Sequence, residues 1–304
     1  MRITTIGDLG MTLPVGVERD GESRGRGFAF KQWDATDEIA IGAIRDRHRA
    51  MGHGEFATAV LAHFLTVWGD RALAGLKPEE KALMLKRAWA GDFYHAWFQL
   101  RREVLGNGLG LSISCPLCRF KFPYEVDLAS VEVFAFDDDD PLEYPTELRD
   151  GLDYAGSKRK IVTMAPLRWH THEASVKASE GALNLGLIKM DVIRGSVVGV
   201  DGSDDRIVLP PTLNLSKYDI EALTNTIQDQ QPGPDLSIEP VCPECNTPIQ
   251  RTITWIYDSF FSVAASPHGR AATRPGRNSL RLRTMSPDSP STSGEQPPPT
   301  ETGG

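Results

Sequence analysis

Cysteine is scarce in this chain, and long apolar runs are missing from it. Only four of the 304 residues are cysteine. No stretch reaches the roughly eighteen consecutive apolar residues of a transmembrane helix, and Met1–Thr5 do not begin the apolar region of a signal peptide. We therefore expect a cytoplasmic protein without a membrane span, in which cysteines are better explained by metal binding than by disulfides.

The sequence also lacks the short motifs of common enzyme classes. It contains no H-E-x-x-H, no Walker A motif, no G-x-S-x-G and no G-x-G-x-x-G before a predicted helix. The glycine-rich segment 106–110 follows a predicted helix and enters a predicted strand, which suits a helix stop and not a phosphate loop. We therefore predict a non-enzymatic protein with no catalytic residues.

One pair of histidines keeps an enzyme as an alternative. His170 and His172 alternate along a predicted extended segment, so both imidazoles would share one face and could bind a metal. No third ligand stands at a recognised spacing from them. A metal-dependent enzyme that uses His170 and His172 is thus the weakest of three functional hypotheses.

The charge balance disfavours general nucleic-acid binding. Asp and Glu number 41 against 33 Lys and Arg, which gives a net charge of −8 and an isoelectric point near 5.4. A hydrophobic content of 40% is enough for a core. The length predicts two domains or one domain with an internal repeat.

All four cysteines fall in two matching motifs. Cys115-Pro116-Leu117-Cys118 and Cys242-Pro243-Glu244-Cys245 each lie between two short predicted strands. The C-x-x-C spacing lets the backbone curl so that both sulfurs face one ion, and proline fixes φ within that curl. We predict one structural Zn²⁺ ion bound by Cys115, Cys118, Cys242 and Cys245.

The long spacer between the motifs leaves alternatives open. Residues 119–241 intervene, whereas usual zinc ribbons have far shorter spacers. A disulfide within or between the motifs would suit a secreted protein. A thioredoxin-like redox site would place its motif at the start of a helix. A closed site of four thiolates has no open coordination position and is not catalytic.

The flanking segments indicate an internal repeat. Asp92 precedes Cys115 by 23 positions (115 − 92), and Asp219 precedes Cys242 by the same 23 (242 − 219). Each interval reads as a helix, a glycine stop and a short L-S-I strand. Further upstream, strand residues ending in Trp33 and in Trp169 each lead to an acidic residue and a helix. We call the turn formed by each C-x-x-C motif, at 115–118 and at 242–245, a cysteine knuckle. We infer a duplicated unit of a strand pair, helices and a cysteine knuckle between two strands.

These patterns predict an α+β fold of two related helix-plus-hairpin halves, joined by a shared four-cysteine zinc-ribbon site. Apolar periodicity and caps place helices over 36–45, 54–69, 78–88, 91–104, 172–186 and from Ser216 onward. The predicted division is a first half at 1–135, an acidic linker at 136–157, a second half at 158–265 and a disordered tail at 266–304.

Two further segments have compositional interpretations. Asp137–Asp140 lack the ligand spacing and glycine turn of an EF-hand, so we expect a solvated loop. The tail is rich in Pro, Ser, Thr and Arg and has few large apolar residues, which is typical of disorder. Its arginines support the alternative of a zinc-ribbon nucleic-acid-binding protein.

The motif around the first knuckle resembles a known family. Asp92-Phe93-Tyr94 opens a helix, Leu100-Arg101-Arg102 follows, and Cys115-Pro116-Leu117-Cys118 precedes a strand ending Val126-Asp127-Leu128. This resembles the baseplate hub assembly chaperones and zinc-ribbon baseplate subunits of T-even-like phages and contractile injection systems. The second copy, from Tyr218-Asp219 through Cys245 to Phe261, has the same style. The chain departs from the frequent C-P-x-C-G motif, because Arg119 and Asn246 replace the glycine.

The resemblance implies a non-catalytic role in building a tail-like particle. We therefore expect a zinc-stapled assembly or structural protein whose partners are other baseplate or tail proteins. Nucleic acid and membranes are not expected among its partners, and a cytoplasmic protein could become incorporated into the particle.

Overall fold

The chain folds into a mixed α+β structure, in a computed structural model that describes residues 1–19, 22–48, 52–181, 185–201, 203, 206–207, 209 and 214–253. Eight α-helices occur among these residues: α1 (Ile6–Leu9), α2 (Ala35–His48), α3 (His53–Phe64), α4 (Pro78–Arg87), α5 (Ala90–Leu105), α6 (Trp169–Gly181), α7 (Leu185–Ser196) and α8 (Lys217–Gln230). The predicted α+β class is confirmed.

The strands are short and belong to several small sheets. They are β1 (Arg2–Thr5), β2 (Thr12–Arg19), β3 (Glu22–Phe30), β4 (Leu65–Trp68), β5 (Arg71–Ala72), β6 (Gly108–Ser114), β7 (Lys121–Asp127), β8 (Glu132–Ala135), β9 (Tyr144–Tyr154), β10 (Ser157–Met164), β11 (Val197–Val200), β12 (Gly233–Pro234), β13 (Ser237–Ile238) and β14 (Arg251–Thr252). In hydrogen-bonding order the sheets are β2-β3-β4-β5, β11-β10-β9, β1-β8-β12, β6-β7 and β13-β14.

The same order of elements occurs twice along the chain. An antiparallel hairpin (β2-β3 or β9-β10) is followed by two helices and then by a strand that pairs with the hairpin's second strand. A further helix, α5 or α8, then leads into a cysteine knuckle with a strand on each side. The order of strand pair, helices, strand, knuckle and strand agrees with the unit inferred from the sequence, but the third strand of each sheet, β4 or β11, was not predicted.

The two hairpins share one irregularity. Six residues of β2, from Thr12 to Val17, lie opposite three of β3, from Gly25 to Gly27. Six residues of β9, from Glu147 to Leu152, likewise lie opposite three of β10, from Arg159 to Ile161. Each bulge contains a glycine with positive φ, Gly16 at 91° and Gly151 at 87°. Glycine suits these positions because a Cβ atom disfavours that conformation.

A buried aspartate fixes each bulge to a helix. Asp92 near the start of α5 accepts hydrogen bonds from the backbone N–H groups of Val15 and Gly16 at 2.7 and 3.0 Å. Asp219 near the start of α8 accepts them from 149–151, at 2.7 to 3.3 Å. Both aspartates are almost fully buried. The helix that precedes each knuckle is therefore held against the hairpin of its own copy.

Four buried clusters hold these elements together, and the smallest of them consists of Val15, Trp89 and Phe136. The largest packs helices α3 and α5 against β2, β3 and β4, and it also includes Leu167, Trp169 and Ile253. The second packs β9, β10 and β11 against α7 and α8. The third lies beneath the cysteines and includes Ile113, Phe122 and Ile249. The strand β12 pairs with β8, so the two copies share a sheet as well as a core.

Several predicted boundaries are corrected by the structure. The helix predicted over 54–69 ends at Phe64, because the β-branched and aromatic run Leu65-Thr66-Val67-Trp68 continues as β4 beside β3. The strand β9 begins at Tyr144, inside the segment predicted as an acidic linker at 136–157. The first half predicted at 1–135 and the second at 158–265 are therefore not separated by a linker of that length.

The acidic run Asp137–Asp140 lies in a largely exposed loop, as predicted, and ion pairs hold this loop in place. Arg26 Nη2 lies 2.9 Å from Asp138 Oδ1, and the amino group of Met1 lies 2.7 Å from Asp140 Oδ2. Arg24 donates to backbone carbonyls within the run, including that of Asp138 at 2.9 Å. These contacts tie the run to the β2-β3 hairpin. The tail predicted at 266–304 and the aromatics Trp255, Phe260 and Phe261 lie outside the described residues.

Candidate metal centre

The four cysteines lie together, as the spacing of the two motifs predicts. All four Sγ atoms are within 4.8 Å of one another. Cys115 Sγ lies 3.6 Å from Cys245 Sγ, and Cys118 Sγ lies 3.6 Å from Cys242 Sγ. No disulfide links them. The alternative of a disulfide framework therefore has no support in this geometry.

The two knuckles have the same backbone conformation. The N–H of Cys115 donates to the carbonyl of Phe120 at 2.9 Å, and the N–H of Cys242 donates to that of Thr247 at 2.9 Å. Arg119 N–H and Asn246 N–H donate back to the carbonyl of the first cysteine of their own knuckle, at 3.0 and 2.9 Å. These bonds close each curl and direct both sulfurs of a knuckle to the same side.

The residue after each second cysteine has a left-handed backbone conformation. Arg119 has φ of 63° and Asn246 has φ of 55°, which is the left-handed conformation that glycine adopts most readily. Asparagine tolerates this conformation better than arginine does. Each knuckle therefore retains the usual backbone shape with a side chain added.

Burial differs between the first and second cysteine of each knuckle. Cys115 and Cys242 are buried, at 1% and 0% exposure, over the apolar cluster of Ile113, Phe122 and Ile249. Cys118 is exposed and Cys245 is intermediate. Each close sulfur pair joins a buried cysteine of one knuckle to a more accessible cysteine of the other, so the two knuckles are related by an approximate twofold arrangement.

The electrostatics of the four sulfurs call for a cation. Hydrogen bonding from Thr247 and contacts with the other sulfurs lower the pKa of Cys245 to about 6. The backbone N–H of Phe120 favours the Cys118 thiolate, but burial and the other three sulfurs together raise the pKa of Cys118 to about 12. The four sulfurs are therefore coupled: ionisation of Cys245 is favoured and ionisation of Cys118 is disfavoured, whereas a bound cation would favour the thiolate form of all four.

The donor set fits a tetrahedral metal ion. A metal–sulfur distance of about 2.3 Å places the sulfurs of a tetrahedral zinc site about 3.8 Å apart. The observed sulfur separations of 3.6 Å, and of 4.8 Å at most, lie close to that value. Thr247 Oγ1, 3.2 Å from Cys245 Sγ, would support one ligand from outside the coordination sphere. The site could therefore hold a metal ion without a large rearrangement.

The histidine pair predicted as an alternative metal site does not have the expected conformation. His170 and His172 lie in the first turn of α6, not on an extended segment, so residues two apart point in different directions. His170 Nδ1 lies 3.1 Å from the carbonyl oxygen of Lys86, and His172 Nε2 lies 2.6 Å from the Tyr94 hydroxyl. Tertiary packing of Trp169 draws this segment into the helix.

Sequence reasoning missed two features near the knuckles. It identified the 23-residue spacing of Asp92 and Asp219 but not their bonds to the hairpin bulges. It also gave no role to the edge of β6. This edge lines a cleft of about 1060 Å³ between the β6-β7 hairpin, which carries the first knuckle, and the β13-β14 hairpin, which carries the second. The alternation of glycine and serine with apolar residues in Gly108–Ser114 was the available signal for that edge.

Comparisons of the chain with protein-family models, with curated proteins and with solved structures returned no match. In the part of the chain that the structure describes, no helix has both the length and the apolar character needed to span a membrane.

Proposed function

We propose that this protein is a non-enzymatic assembly or structural protein in which one metal ion joins two copies of a duplicated unit. The observation that carries the proposal is the meeting of the four Sγ atoms from knuckles 127 residues apart (242 − 115). A single ion there would close a long loop and fix the two hairpins against each other. That use of a metal serves shape and not chemistry.

The duplication is supported by three coincidences that packing alone does not require. The hairpin bulges have equal size, each contains a glycine with positive φ, and each is bonded by an aspartate 23 residues before a knuckle. An asymmetric pair of domains would have no reason to repeat all three. The sharing of core residues and of the β1-β8-β12 sheet indicates that the copies function as one body.

We further propose that the ion is Zn²⁺ in a structural role. Tetrahedral sites with four thiolates hold either zinc or iron, and zinc is the usual ion of closed structural sites. If all four cysteines bind, no coordination position remains for a substrate or water. These properties favour a structural metal site over a catalytic one.

The particular assembly that we propose is a phage-like tail baseplate or a contractile injection system, with other baseplate or tail proteins as partners. This rests on the resemblance of the knuckle segments, from Asp92 to Leu128 and from Tyr218 onward. The absence of a convergent histidine site at His170 and His172 is consistent with it. A nucleic-acid-binding protein that uses the tail arginines is the second candidate.

Two measurements on the purified full chain test these proposals. Native mass spectrometry should find one zinc ion per chain, lost in each of the four single cysteine-to-serine variants. Stoichiometric iron with a rubredoxin-like visible absorption would show that the ion is iron and not zinc. The proposal of one ion shared by the two knuckles would still stand. Two ions per chain, or a metal retained by Cys118→Ser and Cys245→Ser alike, would contradict a shared site.

The assembly role needs a separate measurement. Sedimentation of the zinc-loaded chain with individual purified baseplate proteins of contractile tails should give a complex of defined stoichiometry. Binding to duplex DNA that weakens steeply with salt, without any complex with those proteins, would favour the nucleic-acid candidate.

A further inference from the structure

We propose that the outer edge of β6 binds an extended segment of a partner protein, which adds as a strand in the cleft between the two knuckle hairpins. The first knuckle hairpin is β6-β7 with Cys115 and Cys118 at its tip, and the second is β13-β14 with Cys242 and Cys245 at its tip. The inference rests on the proposed assembly function and names the type of contact that such a protein would make.

The ladder register shows which backbone groups of β6 face the cleft. The N–H of Cys115 donates to the carbonyl of Phe120, and the N–H of Leu128 donates to that of Asn107, both at 2.9 Å. Hydrogen-bonded and non-hydrogen-bonded pairs alternate along an antiparallel ladder. The N–H and C=O groups of Gly110, Ser112 and Ser114 therefore point away from β7.

These outward groups are almost entirely unused. Among the described residues, β6 pairs only with β7, and two side chains bond to its outer edge. Arg101 Nη2 donates to the carbonyl of Gly108 at 2.9 Å, and Arg251 Nη2 donates to the carbonyl of Ser114 at 3.3 Å. The Arg251 guanidinium stands where the N–H of an added strand would stand. Within the described part of the chain, no bond reaches the N–H or C=O group of Gly110 or Ser112 on this edge, or the N–H of Ser114.

The two edges of the same hairpin are protected very differently. The outward positions of β7 are Lys121, Pro123 and Glu125, and proline and charged side chains are the usual means by which proteins prevent strand addition. The outward positions of β6 are glycine and serine, and the strand contains no charged residue and no proline. The protein thus blocks strand addition at β7 and leaves β6 open to it.

The cleft next to β6 has room for one extended chain. Its volume is about 1060 Å³, and its far side is formed by Ser237–Glu239 and by Gln250–Thr252 of the second knuckle hairpin. That volume is at the upper end of ordinary ligand pockets. A strand lies about 4.8 Å from its neighbour, so a cleft of this size admits a single extended chain beside β6.

The side chains around the cleft define the chemistry of the occupant. Leu111 and Ile238, both partly buried, lie on the face that covers the knuckle cluster. Every second side chain of an added strand would lie against that face, because strand side chains alternate. Glu239 and Arg251 carry opposite charges and leave the cleft close to neutral. We therefore infer an uncharged segment with aliphatic residues at alternate positions.

Strand addition uses backbone groups, and this allows a sharp test. Ser112→Pro removes an N–H that faces the cleft and breaks no bond to β7, whereas the matched control Ser112→Ala keeps the N–H. Pro123 already stands directly opposite Ser112, so this hairpin accepts proline at a non-hydrogen-bonded position. Metal content by native mass spectrometry verifies that each variant keeps its knuckles assembled.

The probe is a library of random twelve-residue peptides selected on the immobilised, zinc-loaded full chain. We expect enrichment of uncharged peptides with alternating aliphatic residues. These should bind Ser112→Ala as they bind the parent, and their affinity for Ser112→Pro should fall at least tenfold. If Ser112→Pro fails to bind metal, Gly110→Lys decides instead, since a Cβ there meets nothing within 4 Å and the charge protects the edge.

Several results would overturn the inference. Enriched peptides that bind Ser112→Pro as tightly as the parent would place the site elsewhere, and an absence of enriched peptides would show that the edge does not accept a strand. Competition by a peptide of residues 254–266 would assign the cleft to the chain itself. A concentration-dependent dimer that Ser112→Pro abolishes would assign it to a second copy.

Failure here and failure of the proposed function are distinguishable. If the parent and Ser112→Pro bind baseplate proteins equally, the assembly function stands and only the β6 edge fails. If selected peptides bind the edge but no baseplate protein binds the parent, the edge stands and the assembly function fails.

Discussion

Asp92 and Asp219 occupy equivalent places in the two copies and make equivalent bonds. Each carboxylate lies in the first turn of the helix before a knuckle, and each accepts backbone N–H groups from the bulge of its own hairpin. Both residues are at most 1% exposed. Because each helix precedes a knuckle and the strands beside it, these bonds also help to position the cysteines.

We predict that Asp92→Ala and Asp219→Ala destabilise the protein by similar amounts. Each substitution leaves two or three strand N–H groups without an acceptor in a buried site, and each orphaned group costs about 1–3 kcal/mol. We expect a loss of at least about 3 kcal/mol in the free energy of unfolding from urea titration. Asp8→Ala serves as a control, since Asp8 is an exposed first-turn acid on α1.

The two aspartates also offer a test of the duplication. Val15 and Gly16 bind Asp92, whereas three consecutive N–H groups, including that of Gly151, bind Asp219. If one of the two variants, Asp92→Ala or Asp219→Ala, were strongly destabilising and the other had no effect, the two aspartates would not be equivalent. Substitution of Gly16 or Gly151 by alanine should also destabilise, because both positions require positive φ.

Local pattern predicted the knuckles, while long-range packing decided what the sequence left open. Cys115 and Cys242 were identifiable because C-x-x-C fixes a local curl that needs no information from elsewhere in the chain. The hydrogen bonds of Asp92 could not be identified from the sequence, because the backbone groups that donate to it are 76 and 77 residues away. Spacing alone showed that Asp92 and Asp219 correspond, and not what they bind.

The histidine prediction failed for a related reason. The segment Leu167-Arg168-Trp169 reads as the end of a strand, but Trp169 stacks on Phe93 with ring centroids 3.6 Å apart. Its Nε1 donates to Thr58 Oγ1 at 2.8 Å. Helix α6 therefore begins at Trp169, and His172 is carried into a helical turn. Tertiary contacts overrode the local alternation.

Trp169 should accordingly be a major source of stability. It is fully buried, in the core cluster that contains α3 and α5. Trp169→Ala should lower the free energy of unfolding by about 3–5 kcal/mol through cavity formation. Trp169→Phe keeps the stacking with Phe93 but loses the Thr58 bond, so it should lose less. Equal losses in the two variants would show that the hydrogen bond, and not the ring, is what matters.

Metal removal should loosen the knuckles more than the helices. The cluster under the cysteines is distinct from the two larger clusters, which contain no cysteine. In Cys115→Ser and Cys242→Ser, hydrogen exchange should accelerate in β6, β7, β13 and β14 and change little in α3 and α5. Structural zinc contributes on the order of 10 kcal/mol in domains that depend on it, so the local effect should be large.

A matched variant separates ligand loss from a change near the metal. Thr247→Val removes the hydroxyl 3.2 Å from Cys245 Sγ without removing a ligand. We expect this variant to keep its metal but to lose it to a chelator about 10–100 times more readily. Unchanged chelator resistance would show that Thr247 does not support the ligand.

Acid should destabilise the protein through His95 before it affects most carboxylates. His95 is fully buried on α5, and burial lowers its pKa to about 4, despite its bond to the carbonyl of Gly10 at 2.8 Å. The unfolded chain binds a proton near pH 6.5, while the folded chain does not. The stability contributed by neutral His95 is therefore present above pH 6.5 and is lost as the pH falls towards 4.

The comparison of the parent with His95→Gln isolates this contribution. Glutamine can still donate to the Gly10 carbonyl but does not titrate, so the variant should lose less stability on acidification. Between pH 7 and pH 4.5 we expect the parent to lose about 2–3 kcal/mol more than His95→Gln in urea titrations. The difference matters because burial raises the pKa of Asp92 to about 7, which makes an opposite contribution in both proteins. Parallel pH profiles for the parent and His95→Gln would show that the pKa of His95 is not lowered in the folded protein.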